Sequence, residues 1–181
     1  MQAPLEHALL GLLQQQPRSG YDLRKVFATT PMGTFSDSPG AIYPALHRLE
    51  RRGLIRGQIQ DRGGLRRRRL FRLTAAGLHA FRLLQERPIA RDDLAHLEAL
   101  MLRFAFMDQS LGPAASVRFL KALAAELAAH IPTLRVHLAP DMPLSARLAL
   151  EHGIGDYKAL LSWTRSAVLR YRGAPKGGRL S

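Results

Sequence analysis

Residues 37–55 read DSPGAIYPALHRLERRGLI, and the fold turns on them. Advancing about 100° per residue from Ile42 places Ile42, Ala45, Leu46 and Leu49 in one apolar sector, which predicts a helix anchored along that side. Gly40, Tyr43, Pro44, His47 and Arg51 fall opposite, with Arg48 on the flank. Ser38 is placed to cap the helix, Pro39 suits its first position, and Gly53 suits its end. A helix held by one side, with an aromatic ring, an imidazole and guanidinium groups on the other, suits the major groove of duplex DNA.

The flanking segments support that reading. Residues 4–16 predict a helix with Leu5, Leu9, Leu12 and Leu13 as its stripe, closed by Pro17. Ser19 caps a second helix, GYDLRKVFA at 20–28, where Leu23, Val26 and Phe27 face inward and Asp22 sits well in the first turn. Residues 30–37 read as a loop. The order helix, helix, loop, helix is that of a helix-turn-helix. Beyond Gly53 the period turns strand-like, and residues 54–73 predict a hairpin around a turn at Asp61, Arg62, Gly63 and Gly64. Arg62, Arg66, Arg67, Arg68 and Arg69 load its tip and second arm. So much positive charge reads as a wing that grips phosphates rather than a charge-protected sheet edge. Thr74 caps a helix at 75–85. A short linker at 86–88 closes a first domain spanning 1–87.

The remainder predicts an all-α domain over 88–171 and a flexible tail over 172–181. Leu94, Leu97, Met101, Phe104 and Leu111 recur at near-helical spacing from residue 89. After Gly112 and Pro113, Leu120, Leu127 and Leu134 repeat every seventh residue, as do Ala124, Ile131 and Leu138, which reads as a short coiled-coil seam. Pro132 predicts a kink or break within it. A last helix opens at Met142 and Pro143 and carries Leu150, Ile154, Tyr157, Leu161, Val168 and Tyr171 on one side. Two such stripes call for a partner, and a second copy supplies one. The chain is thus read as mainly α with a small β-hairpin wing.

Composition narrows the class. The chain of 181 residues carries 27 Lys+Arg against 14 Asp+Glu, a net charge of +13, which favours a polyanionic partner. The excess is front-loaded: residues 1–87 hold 15 basic against 6 acidic side chains, residues 88–181 12 against 8. Without cysteine there is no disulfide or thiolate zinc site. The start, with Glu6 and His7 among its apolar residues and no basic lead, is a poor secretory signal, and no apolar run is long enough for a bilayer. A cytoplasmic protein without a membrane role is expected. Catalysis has little support: Asp92, Asp93, His96 and Glu98, or His130 and His137, form no HExxH or comparable spacing, and no cofactor is implied. A non-sequence-specific architectural nucleic-acid-binding protein is the alternative.

Three segments in order, LGLL followed by PRSGYDL, SPGAIYPALHRLERRGLI, and RRRRLFRLTAAG, resemble the PadR-type transcriptional regulators over residues 5–85. A looser Gly–x–x–x–Tyr–x–x–Leu–x–x–Trp pattern at Gly153, Tyr157, Leu160 and Trp163 resembles the family's dimerisation region. The resemblance implies a winged helix-turn-helix followed by a helical dimerisation domain. It also implies a homodimer on an inverted-repeat promoter operator, usually repressing, and released by a small hydrophobic or aromatic effector. Carried over by position, Tyr43 contacts double-stranded DNA. Ser38, Gly40, Tyr43, His47, Arg48, Arg51, Arg62, Arg66, Arg67 and Arg68 make up the expected DNA surface, with Arg51 and the wing on phosphates and Arg48 suited to guanine. Leu120, Leu127, Ile131, Tyr157, Leu161 and Trp163 make up the expected dimer or effector surface, where Trp163 is an interface anchor or lines an effector pocket.

Overall fold

A computed structural model describes residues 4–35, 38–62 and 65–173, with the side chains of 61, 62 and 65–67 excepted. Helix α1 (Pro4–Gln15) is followed by a two-residue strand β1 (Arg18–Ser19) and helix α2 (Gly20–Thr29). A 3-10 turn at Pro31–Phe35 leads to helix α3 (Pro39–Arg51), strands β2 (Ile55–Arg62) and β3 (Leu65–Leu73), and helix α4 (Ala75–Glu86). The segment expected as a plain loop at 30–37 therefore holds a helical turn, and the expected hairpin is part of a three-stranded antiparallel sheet ordered β1-β3-β2. Arg18 pairs with Phe71 and Ser19 with Leu70, while β2 runs beside β3 from Ile55↔Leu73 to Arg62↔Leu65 with an irregularity between Gln60 and Arg62. Asp61 and Arg62, expected in the turn, belong to β2.

Local chemistry accounts for these boundaries. The Ser19 hydroxyl accepts from the Asp22 N–H at 3.1 Å while the Asp22 carboxylate accepts from the Ser19 N–H at 3.2 Å, a reciprocal cap that starts α2. Thr74 caps α4 through the Gly77 N–H at 3.0 Å and donates to the Gly53 carbonyl at 2.7 Å, which ties the start of α4 to the turn after α3. Gly53 adopts φ +69, the left-handed conformation that ends α3. The core joins Leu9, Leu10, Leu23, Phe27, Ile42, Leu46, Leu49, Ile55, Phe71 and Phe81.

Two compact units result, and the division differs from a single cut at residue 87. The first comprises residues 1–87 together with 101–111; the second comprises 88–100 and 112–181. The stretch of near-helical spacing from residue 89 forms a 3-10 turn (Arg91–His96), helix α5 (Leu97–Ala105) and a short helix α6 (Met107–Leu111). Phe106 enters the first unit's core: a Cβ at Gly11 would stand 2.5 Å from its ring, and its centroid lies 6.1 Å from that of Phe81. Arg103 donates to the carbonyls of Gln85 and Arg87, holding the end of α4.

In the second unit, helices α7 (Pro113–Arg135) and α8 (Leu144–Gly173) form a hairpin closed by a short connection. Leu120, Leu123, Leu127, Ile131, Ile154 and Val168 are buried along it. Of the kink or break expected at Pro132, no break occurs: α7 continues to Arg135. Pro132 lies in the final turn, where few following residues depend on the disturbed ladder. Arg172, expected in the tail, belongs to α8, and residues 174–181 lie outside the described residues. Among the described residues no helix is long and apolar enough to cross a membrane.

Candidate nucleic-acid interface

Helix α3 is built as its periodicity predicts. Ile42, Ala45, Leu46 and Leu49 are fully buried, whereas Gly40, Tyr43, Pro44, His47, Arg48 and Arg51 are exposed. Ser38 caps the helix by accepting the Gly40 N–H at 3.2 Å. Pro44 is accommodated because the carbonyl it cannot satisfy belongs to the first turn, at Gly40. Tyr43 leans across to α2: a Cβ at Gly20 would come within 2.6 Å of its Cε1, so the ring has a seat while remaining 41% exposed. An aromatic group held this way can meet a base edge or sugar without first losing much rotamer freedom.

The opposite flank is held by acids. The carboxylate of Glu6, buried on α1, accepts from Arg48 Nε and Arg52 Nη1, each at 2.9 Å. Arg48, expected to suit guanine, is thus anchored to the protein through its Nε. Glu50 accepts from Arg69 Nη2 at 2.8 Å and from the Gly57 N–H, which binds the wing's base to the end of α3. Arg69 also stacks over Phe71, so it is a structural arginine rather than a free wing cation. Arg68 is exposed and, with Arg18, adds to the Ser19 hydrogen bond that holds the Asp22 carboxyl below its usual range. The side chains of Arg62, Arg66 and Arg67 lie outside the described residues.

Sequence reasoning passed over the outer face of α2. Tyr21 is exposed, and the Arg24 guanidinium lies 5.6 Å from its ring centroid. Lys25 follows one position on and is also exposed. Residues 21, 24 and 25 share one helix face, and that spacing was the available signal. Since α2 also seats Tyr43, the face adjoins the α3 surface.

The residues expected at a dimer or effector surface divide. Leu120, Leu127 and Ile131 are covered by their own chain, because a seven-residue repeat marks burial and does not say which chain supplies the cover. Tyr157 is half-buried, its ring 5.2 Å from that of His130 and its hydroxyl donating to the Leu94 carbonyl at 3.2 Å. Leu161 is half-buried, and Trp163 is exposed, as are Leu144, Leu148 and Leu169 of α8. A Cβ at Gly153 or Gly155 would meet nothing within 4 Å in the chain. Among the described residues no cluster of His, Cys, Asp and Glu could hold a metal ion.

Residues 9–83 match the model of the transcriptional regulator PadR-like family. Bacillus subtilis PadR in complex with operator DNA is 22% identical, with 92% of this chain and 98% of that one covered and a TM-score of 0.42. The PadR-like regulator BC1756 from Bacillus cereus is 23% identical, covering 92% and 94% with a TM-score of 0.40. Bacillus subtilis PadR in complex with p-coumaric acid is 22% identical, covering 93% and 96% with a TM-score of 0.39. None of the curated proteins matches the chain. Residues 9–83, which hold the α2–α3 pair and the wing, are thus similar to the PadR-like family of transcriptional regulators.

Proposed function

We propose that the chain is a sequence-specific DNA-binding regulator that acts in the cytoplasm as a homodimer on an inverted-repeat promoter operator, as a repressor released by a small hydrophobic or aromatic effector. The observation that carries this reading is the division of α3. One face is wholly buried, and the other offers Tyr43, His47 and Arg51 beside a basic hairpin. Arg51, Arg68 and the wing residues Arg62, Arg66 and Arg67 contact phosphates and set register; Ser38 and Gly40 let the helix start approach the duplex closely. Tyr43 and His47 reach base edges, each good bidentate contact in such a surface being worth about 1–3 kcal/mol of discrimination.

Dimerisation is supported by Leu148, Trp163 and Leu169, large apolar groups exposed on α8 that a second copy would cover. Two-fold pairing then matches a palindromic site. Small aromatic acids added to the protein–DNA complex should weaken it, and Trp163→Ala should alter that response. The decisive experiment is selection of bound sites from a random-sequence duplex pool. Recovery of an inverted repeat supports the regulator; equal competition by unrelated DNA would instead make the protein an architectural binder.

A further inference from the structure

Glu6 precedes the family-matched residues 9–83 and is buried on α1 among mostly apolar neighbours, with His7 the other polar one. A buried carboxylate is costly unless paired, and this one is paired twice, with Arg48 and Arg52 at the end of α3. The two guanidiniums are not equivalent in what they retain. Arg48 gives Glu6 its Nε; its side chain makes no other hydrogen bond or ion pair among the described residues and remains 45% exposed. A guanidinium is a rigid plane of five donors, so fixing Nε fixes the direction of the Nη1–Nη2 edge. That edge has the fork geometry that pairs with guanine O6 and N7. Arg52 gives Glu6 an Nη, which draws a cation back toward the protein instead of leaving it beside the duplex.

We propose that Glu6 is a positioning residue for DNA recognition: its carboxylate aims the free edge of Arg48 at one guanine and restrains Arg52 from indiscriminate phosphate contact. This rests on the DNA-binding reading above and extends it to a residue on a helix outside the α2–α3 pair. An unrestrained arginine at position 48 would sample many rotamers and meet any nearby phosphate, raising binding to every sequence alike. Glu6 therefore exchanges general affinity for selectivity.

The test uses the 181-residue chain, the best duplex recovered by wild type from a random pool, and a scrambled duplex of the same composition. The quantity read is the ratio of the two affinities, in which the folded fraction of each variant cancels. In Glu6→Gln the ratio should fall about tenfold, and the slope of log K against log salt should steepen by up to about 2 as both arginines become free to displace counterions. In an Arg48→Ala background, Glu6→Gln should produce no further fall in the ratio, because the route to DNA is gone. Arg48→Lys, exposed and expected to fold whatever Glu6→Gln does, should lose the ratio similarly while keeping the salt slope, since lysine has no Nη1–Nη2 fork. A purely structural Glu6 would lower thermal stability and leave both ratio and slope unchanged; that result overturns the proposal, as does an undiminished ratio in Arg48→Lys. If wild type itself selects no preferred duplex, the functional reading fails, and this inference with it.

Discussion

The phenol ring of Tyr43 on α3 is seated on Gly20 of α2, so closely that any Cβ at position 20 would stand 2.6 Å from its Cε1. The first residue of one helix thus sets where the aromatic group of the next can lie. Gly20→Ala should push the ring outward. We expect about a tenfold loss of DNA affinity by fluorescence anisotropy, with no further loss when Tyr43 is already alanine. An additive loss in the double variant would mean that Gly20 acts by another route.

Two glycines of the first unit separate backbone conformation from packing. Gly53 has φ +69 with open space around its missing Cβ, so Gly53→Ala should cost only the left-handed backbone penalty, about 1 kcal/mol. Gly77 has an ordinary backbone, but its Cβ would stand 1.9 Å from the Leu54 carbonyl oxygen, where α4 lies against the start of β2. Backbone cannot yield as a side chain can, and Gly77→Ala should cost at least about 2 kcal/mol. Guanidinium unfolding curves check both; equal losses would contradict the packing.

His7 gives a pH dependence of definite sign. Its ring is buried 5.0 Å from that of Phe81, its Nε2 has no hydrogen-bond partner among the described residues, and burial, aided by the Arg103 charge, lowers its pKa from 6.5 to about 4. Above pH 6.5 neither folded nor unfolded chain protonates this ring. Between that value and about 4 only the unfolded chain does, so stability is lost as the pH falls through this window and levels off below it. The total amounts to about 3 kcal/mol. Asp22, held low by Ser19, contributes in a separate window, below its ordinary value of 3.8. Urea midpoints measured from pH 7 to 4.5 should fall in wild type and fall less in His7→Leu. Parallel curves would contradict a neutral buried imidazole.

The wing is tested through salt. Arg66→Gln with Arg67→Gln should flatten the log K against log salt slope by up to about 2 if both residues neutralise phosphates. An unchanged slope would remove them from the interface.

Local rules were legible in the chain where a single helix or turn obeys them. Ser38, Pro39 and Gly53 frame α3, Ser19 with Asp22 starts α2, and Thr74 starts α4, because capping chemistry acts within a few residues. What escaped depends on partners distant in sequence. Glu6 meets Arg48 and Arg52 more than forty residues on, which no periodicity encodes. Phe106 belongs to the first unit although its neighbours in sequence share a near-helical spacing, since apolar spacing reports burial without naming the surface that supplies it. Strand β1, two residues long, is too short to show alternation. The α7 seam was legible as buried, yet α8 of the same chain fills it. Within the interface, the exposure of Tyr43, His47 and Arg51 followed from helix geometry, whereas the anchoring of Arg48 and Arg69 by acids did not.

The proposed function stands or falls with the outward face of α3 reading DNA. Its most direct test is an anisotropy titration of wild type and Tyr43→Ala against the same selected duplex, with thermal unfolding of both followed in parallel. Because Tyr43 lies at the surface, the substitution should shift Tm by less than about 4 °C. The account predicts at least a tenfold loss of affinity in the variant; wild-type affinity in a stably folded Tyr43→Ala protein would contradict it.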